Sequence, residues 1–330
     1  MKVIDESLNL PTLAGIREAA RLISGYAGRT PLVRSHTLSK LMSADVWIKN
    51  ETVSPIASFK LRGALAEVLR INQDKNIKAV VTSSTGNHGQ GVAYAAKIAG
   101  LASHIFLPEN PNQVKRAAIE TLGAVIHEAG ADIDYAKVDA LRFAREHEYT
   151  FVDDGETLGV MHGAGTVGLE IAESLSEIDA VVVPMGSGTL ASGSAAAIKG
   201  LQPGVRVFAV QAKGSPAMVE SFKARRAIER PVETIAEGLA CREPATLALN
   251  ALLALIDEAD LVSDDELLTG IHALASAAHV LVEPAGAAAF AGAWNRRSEF
   301  KGKRIVLILT GANISMDTLR EALRTNLPFS

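Results

Sequence analysis

The sequence predicts an α/β fold with mainly parallel sheets, arranged as two open lobes. Short apolar runs alternate with longer helical patterns over almost the whole chain. These runs are nearly continuously apolar, which is typical of parallel strands covered by helices on both faces. The chain has 330 residues, about twice the roughly 150-residue size of a common domain, so one large or two coupled domains are expected.

Five apolar runs are predicted as strands: residues 79–82, 104–107, 180–183, 205–210 and 304–309. Between them lie helical patterns, such as Val167, Ile171 and Leu175 at a spacing of four, for which Thr166 is the predicted N-cap. Strands and helices repeating in this order favour an open sheet with helices on its faces.

The same repetition suggests where the two lobes divide. The region from about residue 75 to residue 150 contains its own strand–helix units and ends at a short polar stretch. This region is therefore expected to form a smaller lobe inserted into a larger one, although composition alone does not locate the boundary.

Composition and charge exclude several classes of function. The 37 acidic side chains outnumber the 33 Lys and Arg side chains, for a formal net charge of −4, so the basic footprint of a nucleic-acid-binding protein is missing. The single cysteine, Cys241, excludes an intramolecular disulfide framework and a zinc site with several cysteine ligands. No run reaches the roughly 18 apolar residues of a membrane span, and the N-terminus has no secretory core. A cytoplasmic protein that does not bind membranes is expected.

Chemistry is expected at the carboxyl ends of the strands, where loops of α/β proteins bind ligands. The first candidate loop is Ser58-Phe59-Lys60-Leu61-Arg62-Gly63-Ala64, which opens a helix that continues to about Arg70. An isolated lysine at such a position is usually an ordinary solvated side chain. The functional alternative is an amine beside Phe59 that forms a Schiff base.

The second loop is Ser83-Ser84-Thr85-Gly86-Asn87-His88-Gly89-Gln90-Gly91, directly after a predicted strand. Gly86 permits a tight turn, and the hydroxyls, Asn87 and the helix N-terminal amides could bind a carboxylate. The alternative is a capped helix whose glycines serve packing, with His88 as a packed histidine.

The third loop, Pro184-Met185-Gly186-Ser187-Gly188-Thr189-Leu190-Ala191, leads from an apolar strand into a helix. Small residues let several backbone amides converge on a phosphate at the positive end of the helix dipole. The segment also fits the loose dinucleotide pattern G-x-G-x-x-A, so a nicotinamide-dependent dehydrogenase is an alternative. That alternative needs an acidic residue at the end of the next strand, where Gln211 stands instead.

The fourth loop places Thr310 at the end of the last predicted strand. A Thr-Gly turn at a strand end is common and usually structural. Together, however, the four loops supply an amine, a hydroxyl and amide loop, a phosphate cradle and a strand-end hydroxyl. These are the groups that a bound pyridoxal phosphate requires for its aldehyde, phosphate and ring nitrogen.

The chain resembles the fold-type II pyridoxal-phosphate enzymes, which have the tryptophan synthase β-like fold, and within them the branch of threonine and serine dehydratases and serine racemases. The resemblance covers nearly the whole chain. It implies a small mobile domain at residues 73–153, inserted into a large cofactor-binding domain formed by residues 1–72 and 154–330. Its motifs are Arg29-Thr30-Pro31-Leu32, Ser58-Phe59-Lys60-Leu61-Arg62-Gly63-Ala64, Ser84-Thr85-Gly86-Asn87-His88, Gly186-Ser187-Gly188-Thr189-Leu190, Thr234-Ile235-Ala236-Glu237-Gly238, Glu283-Pro284-Ala285-Gly286 and Thr310-Gly311-Ala312-Asn313.

The resemblance implies pyridoxal 5'-phosphate as the cofactor and assigns two sets of residues. The cofactor-binding residues are Phe59, Lys60, Asn87, Gly186, Ser187, Gly188, Thr189, Leu190, Glu283 and Thr310. The residues around the substrate carboxylate are Ser84, Thr85, Gly86 and His88. Lys60 and Thr85 are the catalytic candidates, with Lys60 as the Schiff-base lysine.

The implied activity is α,β-elimination by an ammonia-lyase, or dehydratase. A β-hydroxy amino acid such as threonine or serine would become a 2-oxo acid and ammonia by way of an aminoacrylate, with Lys60 removing the α-proton. A hydroxyl at Thr310, unlike an aspartate, does not keep the ring nitrogen protonated. This favours loss of the β-substituent over reprotonation of the α-carbon.

Departures from the family pattern keep alternatives open. Thr85 stands where racemases of this branch have serine and many dehydratases have alanine, so an amino-acid racemase is an alternative. Glu237 replaces a commoner aspartate, and the stretch at residues 50–57 is unusual. A dehydratase specialised for hydroxyaspartate or for a hydroxyectoine-derived substrate is therefore a further alternative. Thr189 replaces the usual third glycine of the phosphate loop.

The resemblance also bears on metals and assembly. Relatives that bind a divalent cation have carboxylates where Gln211 and Ala217 align, so no metal site is predicted. The chain ends soon after a helix at about residues 316–325, so a C-terminal regulatory domain is not expected. The expected partners are a small amino-acid substrate and other copies of the chain, in a homodimer or homotetramer.

Overall fold

The computed structural model describes residues 10–74, 76–84, 86–131 and 133–329. Within them the chain forms ten strands, numbered in chain order: β1 Leu32–Arg34, β2 Asp45–Asn50, β3 Ala79–Ser83, β4 Ala102–Leu107, β5 Val125–Glu128, β6 Thr150–Phe151, β7 Ala180–Pro184, β8 Arg206–Ala212, β9 Glu258–Val262 and β10 Arg304–Leu309. All five predicted strands are present, with bounds within two residues of the prediction.

Thirteen α-helices connect these strands in the described part of the chain: α1 Leu13–Ile23, α2 His36–Met42, α3 Lys60–Ile71, α4 Asn87–Ala99, α5 Gln113–Thr121, α6 Ile133–Glu146, α7 Leu158–Ser174, α8 Thr189–Leu201, α9 Ala217–Ala224, α10 Thr246–Leu255, α11 Asp264–Ala278, α12 Pro284–Asn295 and α13 Met316–Ala322. None of these helices is long and apolar enough to cross a membrane.

The strands form two separate sheets. The larger has the order β1-β2-β10-β7-β8-β9, and only its edge strand β1 runs antiparallel to its neighbour. The smaller has the order β5-β4-β3-β6 and is parallel throughout. The predicted α/β class with mainly parallel sheets is confirmed. All four strands of the smaller sheet lie between residues 79 and 151, and the domain limits at 72/73 and 153/154 stay a prediction.

The larger sheet is buried on both faces, as its apolar strands require. Along β7, Val182 packs into the cluster on one face, while Val181 and Val183 pack into the cluster on the other. The same alternation continues in β10, where Leu307 and Ile308 point to opposite faces. Because helices cover both faces, the strands have no polar side to present to water.

The prediction that Thr166 caps a helix is wrong. The N-cap of α7 is Thr157, nine residues before Thr166, and the Thr166 hydroxyl donates within the helix to the carbonyl of Gly163 at 2.7 Å. The helix is packed closely on several sides, and a Cβ at Gly168 would lie 2.5 Å from the carbonyl oxygen of Ser194 in α8. Small residues around the whole helix hide the 3.6-residue periodicity that usually marks where a helix begins.

The parallel strands direct their carboxyl ends toward one cleft between the sheets. β2 leads into the turn before α3, and β10 ends beside that turn, where Ser58 and Gly311 form an antiparallel bridge. β7 leads into α8, and β3 of the smaller sheet leads into α4. Each of the four predicted loops therefore reaches the same cleft.

Candidate active site

Candidate residues from both sheets line one cavity in this cleft. Its volume is about 670 Å³, within the roughly 300–1,000 Å³ of small-molecule sites. Its lining includes Phe59, Lys60, Ser84, Asn87, His88, Ser187, Glu283 and Thr310. A narrow extension, which also borders on Phe59, Lys60 and Thr310, is lined by Gly186, Ser187, Gly188, Thr189 and Leu190. Of the predicted site residues, Thr85 lies outside the described part of the chain.

Lys60 is held at the cavity by the end of β10. The backbone N–H of Phe59 donates to the carbonyl of Thr310 at 3.0 Å, and Lys60 is the first residue of α3. The Lys60 side chain is 13% exposed, and its Nζ lies 5.0 Å from the centre of the Phe59 ring. Its amine forms an ion pair with the carboxylate of Asp154. The lysine, the aromatic ring and the Thr310 strand end are thus brought together by one set of backbone contacts.

The loop between β7 and α8 has the form of a phosphate cradle. Gly188 has a φ of 96°, which favours glycine, and a Cβ at Gly186 would lie 2.5 Å from the carbonyl oxygen of Gly238. The first backbone N–H of α8 that makes a helical hydrogen bond is that of Ser192, which donates to the carbonyl of Gly188 at 2.9 Å. The amides before it have no acceptor within the helix, so they remain available to an anion at the helix N-terminus.

Thr189 occupies the position of the expected third glycine, but its side chain does not fill the phosphate cradle. Its hydroxyl turns aside and donates to the backbone carbonyl of Asp154. The neighbouring Ser187 hydroxyl donates to the Asp154 carboxylate at 2.8 Å. The cradle is therefore tied directly to the residue that pairs with Lys60.

The loop after β3 explains why residue 86 is glycine. The Gly86 N–H donates to the Ser84 hydroxyl at 2.9 Å, which closes a tight turn. A Cβ at Gly86 would lie only 2.1 Å from Cδ of Lys115, whose side chain passes directly beneath. Ser84 is buried and His88 is 5% exposed, both on the cavity wall.

Asn87 is fixed in one orientation by two partners. Its Nδ2 donates to Oε1 of Glu283 at 2.5 Å, and its Oδ1 accepts from Nδ2 of Asn313 at 2.8 Å. One N–H of the Asn87 amide is left for a ligand. Glu283 is 2% exposed, and its other carboxylate oxygen lies 3.4 Å from Nζ of Lys115. In this structure, Glu283 therefore holds the Asn87 side chain in position.

Lys115 joins the two lobes at this point. It extends from α5 of the smaller lobe to Glu283 and to Glu237, whose Oε2 lies 2.7 Å from Lys115 Nζ. Burial acts to lower the pKa of Lys115, but the charges of Glu283 and Glu237 outweigh it and raise that pKa. Sequence reasoning missed Lys115 because nothing local marks a lysine that reaches across a cleft.

Asp154 is the most important residue that sequence reasoning missed. Burial acts to raise the pKa of its carboxyl, but the charge of Lys60 and the hydrogen bonds from Lys60 and Ser187 outweigh it and hold that pKa well below its ordinary value. Asp153 and Asp154 follow β6 after a single residue, Val152, so the strand-end rule that identified the other loops could also have found them. Burial lowers the pKa of His88, which favours its neutral imidazole.

A second buried charge cluster, consisting of Lys49, Glu51, Arg62 and Glu170, lies behind Lys60. The Arg62 guanidinium donates to Glu51 at 2.7 Å and 3.0 Å and to Glu170 at 2.6 Å and 3.1 Å. Nζ of Lys49 completes the cluster 2.5 Å from Glu170. Because Arg62 is two residues beyond Lys60 on α3, this cluster anchors the helix that carries the reactive amine.

The cavity suits one kind of cofactor. A lysine amine beside an aromatic ring, a cradle of unpaired amides at a helix N-terminus and a buried strand-end hydroxyl border on a single space. These groups match the aldehyde, the phosphate and the ring nitrogen of pyridoxal phosphate. Fold and site together define a pyridoxal-phosphate-dependent enzyme.

The comparison with protein families agrees. The family described as pyridoxal-phosphate dependent enzymes matches residues 23–311, so the chain belongs to it. The predicted cofactor is thereby confirmed.

Individual relatives place the chain more narrowly. An L-threonine ammonia-lyase of Thermotoga maritima is 35% identical over 319 residues, which covers 96% of this chain and 79% of that protein. An L-threo-3-hydroxyaspartate ammonia-lyase of Saccharomyces cerevisiae is 31% identical over 308 residues, or 93% of this chain and 94% of that protein. Maize serine racemase superposes with a TM-score of 0.90 at 29% identity and covers 96% of this chain and 97% of its own. The predicted fold type II and the predicted lyase class are confirmed.

Proposed function

We propose that this cleft removes the hydroxyl group and the amino group of a β-hydroxy amino acid of the threonine or serine type, giving a 2-oxo acid and ammonia. The observation that carries the proposal is the position of Lys60. Its amine lies in the cavity that contains both the phosphate cradle and the Thr310 strand end. The relatives named as ammonia-lyases support this reaction type.

The residues that would hold the cofactor follow from the geometry. The amides of residues 186–190 would bind the phosphate, the Phe59 ring would pack against the pyridine ring, and the remaining N–H of Asn87 would donate to the ring hydroxyl. Thr310 would place a neutral hydroxyl at the ring nitrogen. Pyridoxal phosphate, when bound, supplies an aldehyde for amines and a conjugated ring that accepts electrons from the substrate α-carbon.

The remaining chemistry belongs to side chains of this protein. Ser84 and the first amides of α4 would bind the substrate carboxylate, since these amides have no acceptor within the helix. Lys60 Nζ would take the proton from the α-carbon and, as an ammonium, would return it to the β-hydroxyl group, which leaves as water. After release, the enamine product would be hydrolysed by water to the 2-oxo acid and ammonia. Burial of the cavity between two sheets limits the access of bulk water to the reacting atoms. Thr85 is the proposed second acid or base.

The test is covalent chemistry at Lys60. The purified protein, loaded with pyridoxal phosphate, is expected to show a visible absorption band that borohydride removes, with one cofactor equivalent then attached to the peptide containing Lys60. Lys60→Ala should lack this attachment and should form 2-oxo acid roughly 10²–10⁴-fold more slowly, the range for loss of a general acid or base. Lys137→Ala, which changes another lysine of the cavity wall, should keep the attachment. Attachment that persists in Lys60→Ala would overturn the assignment.

Racemisation of serine is the second candidate, favoured by the similarity to maize serine racemase. The two activities are separated by measuring ammonia release and enantiomer interconversion on the same β-hydroxy amino acids. Racemisation faster than ammonia release on every substrate would make the chain a racemase.

We also propose a cytoplasmic location and assembly as a homodimer or homotetramer. The lone cysteine suits a reducing compartment, and the assembly is what the family resemblance implies. Light scattering of the purified protein measures the number of copies directly.

A further inference from the structure

The carboxylate beside the reactive amine is fixed to the phosphate cradle. Oδ2 of Asp154 accepts from the Ser187 hydroxyl as well as from Lys60 Nζ. The backbone carbonyl of Asp154 accepts from the hydroxyl of Thr189, the first residue of α8. Because both its side chain and its backbone are held by residues other than Lys60, Asp154 is expected to keep its position when the lysine moves.

The residues next to Asp154 fix the same loop. Oδ1 of Asp153 accepts from the backbone N–H of Gly155 at 2.8 Å and from that of Glu156 at 3.0 Å. The Glu156 carboxylate in turn accepts from two backbone N–H groups at the start of α10. The Asp154 carboxylate is therefore a stationary partner for a mobile amine.

The second oxygen of this carboxylate has no hydrogen-bond partner among the described residues. Asp154 Oδ1 and His88 Nδ1 are both buried and unpaired, 3.7 Å from each other. His88 Nε2 lies 3.2 Å from the carbonyl of Val152 and must carry the ring proton to bond with it, so Nδ1 of the neutral ring is an acceptor. Burial lowers the pKa of His88, which keeps the ring neutral. A water molecule has the two hydrogens that these atoms require, whereas Lys60 brings the positive charge.

The number of hydrogens on Lys60 Nζ depends on its covalent state. Joined to the cofactor aldehyde by a double bond, the nitrogen keeps at most one hydrogen. When a substrate amine replaces it, the bond from the cofactor carbon to Lys60 Nζ breaks and a bond from that carbon to the substrate nitrogen forms. The two hydrogens of the neutral substrate amine pass to Lys60. Removal of the α-proton then makes Lys60 an ammonium with three hydrogens.

Asp154 therefore interacts with Lys60 most strongly after the substrate has bound. In the resting enzyme the largely buried carboxylate has lost its best donor and borders on the site of a bound phosphate, which is costly. Once Lys60 is free, its amine can donate to Oδ2 and keep its lone pair for the α-proton. The positive charge that then develops on Nζ is stabilised by the carboxylate. An interaction that strengthens along the reaction favours substrate binding and proton removal.

We propose that Asp154 is a positioning residue for Lys60, which receives the lysine that the substrate displaces and holds its amine for proton transfer. Asp154 thereby favours the exchange of Lys60 for the substrate amine without contacting the substrate. This inference rests on the proposed function, in which Lys60 bonds to the cofactor and later removes the α-proton.

Two equilibria of Asp154→Asn separate this role from a structural one. The first is the binding of pyridoxal phosphate to the cofactor-free protein, in which the pair between Lys60 and Asp154 is formed. The variant should bind the cofactor as tightly as the unaltered protein or more tightly, because no ion pair has to be broken. The second is the binding of 2-aminobutyrate, which lacks the leaving hydroxyl, to the cofactor-loaded enzyme, followed by the change of the visible absorption band. This binding should weaken about tenfold, as for the loss of a hydrogen bond to a charged group.

The opposite directions of the two effects are what a structural role would not produce. A distorted cavity would bind both the cofactor and the amino acid less tightly, and that result would overturn the proposal. Unchanged binding of 2-aminobutyrate to Asp154→Asn would overturn it as well. Circular dichroism verifies that the variant folds.

The matched control is Asp153→Asn, the same change one residue earlier on the same cavity wall. The Asp153 carboxylate lies 2.5 Å from Nζ of Lys137 and not beside Lys60, and asparagine keeps an acceptor for the turn. Both equilibria should stay within about twofold of those of the unaltered protein. A tenfold loss of 2-aminobutyrate binding in this variant too would assign the effect to the overall charge of the cleft, against the proposal.

Lys60→Ala decides whether Asp154 acts through the lysine. At saturating pyridoxal phosphate, an amino acid can bond to the cofactor in this variant with no lysine to displace. Asp154→Asn added to Lys60→Ala should therefore change the binding of 2-aminobutyrate by less than about twofold. A tenfold loss in this background would mean that Asp154 contacts the amino acid directly, and the proposal would be wrong.

Turnover separates this proposal from the proposed function. With threonine or serine as substrate, Asp154→Asn should lower kcat/KM by about tenfold or more, with part of the loss in KM, and an unchanged kcat/KM would contradict the proposal. If no β-hydroxy amino acid yields 2-oxo acid and ammonia, the proposed function fails. The binding of 2-aminobutyrate needs no turnover and still decides the role of Asp154.

Discussion

Two charge clusters include neighbouring residues of α3, Lys60 and Arg62, and they differ in whether their hydrogen bonds are complete. The Arg62 cluster, defined above as Lys49, Glu51, Arg62 and Glu170, has two cations and two anions, and each of them is paired. The Lys60 cluster, consisting of Lys60, His88 and Asp154, contains two buried polar atoms without a partner. A cluster whose hydrogen bonds are complete has nothing left to bind, whereas an incomplete cluster marks where a ligand group belongs.

The difference follows from the two side chains on the helix. The planar guanidinium of Arg62 has five N–H donors, and it uses them on two carboxylates and on the hydroxyls of Thr30 and Thr166. The result is a buried connection between β2, α3 and α7. Lys60 has a long stem with a single amine at the cavity, so it can leave Asp154 and form another bond.

The largest effect is expected from Arg62→Met. Removal of the central cation leaves two buried carboxylates, Glu51 and Glu170, against the single charge of Lys49. One buried negative charge then has no compensation, which should lower the free energy of unfolding by about 3–5 kcal/mol. Urea unfolding of the cofactor-free protein measures this change. Arg142→Met provides the control, because Arg142 pairs with Asp139 on the exposed surface of α6. The control should cost less than about 1 kcal/mol, and similar losses for the two variants would contradict a structural role for the Arg62 cluster.

A smaller effect, with a defined pH dependence, is expected from Glu170→Gln. Burial acts to raise the pKa of Glu170, but Arg62 and Lys49 outweigh it and lower that pKa below its ordinary value near 4.5. A lowered carboxyl pKa stabilises the fold above the ordinary pKa, and that stabilisation is lost as the pH falls through the lowered value.

The variant should therefore be less stable than the unaltered protein by about 1.5–3 kcal/mol at pH 7, as for a hydrogen bond to a charged group. The difference should narrow as the pH falls from 4.5 to the lowered pKa of folded Glu170, because the unfolded chain is protonated there before the folded protein is. Unfolding measured from pH 2.5 to pH 8 tests this, and a difference that is constant over the range would show that charge is not what Glu170 contributes.

The sequence predicts the arrangement of strands and helices well, and the reason is physical. Strands such as β7 and β10 are apolar runs bounded by turns, so burial on both faces is readable from composition alone. Lys60, the phosphate loop and Thr310 all follow such strands or open helices, and the strand-end rule finds them. The start of α7 was missed because that helix is buried on several sides, which removes the polar face that a periodicity argument needs.

What the sequence does not predict is contact between distant residues. Asp154 lies 94 positions from Lys60, and Lys115 lies 168 positions from Glu283. Each of these residues belongs to an ordinary local pattern, a strand-end acid or a helix lysine. Only the packing of one sheet against the other makes Asp154 a neighbour of the reactive amine and makes Lys115 the reason why residue 86 is glycine. Such pairings depend on tertiary structure and leave no local signal.

The smallest change in stability is expected from Asp154→Asn, the counterpart of Arg62→Met in the Lys60 cluster. The Lys60 and Asp154 side chains are 13% and 25% exposed at the cleft, so a lysine without its partner can turn toward water. Asparagine also keeps an acceptor for the Ser187 hydroxyl. Urea unfolding of the cofactor-free protein should therefore change by less than about 1 kcal/mol. A loss as large as that of Arg62→Met would mean that the Lys60 cluster holds the fold together, in which case its unpaired atoms would no longer be reason to expect a ligand there.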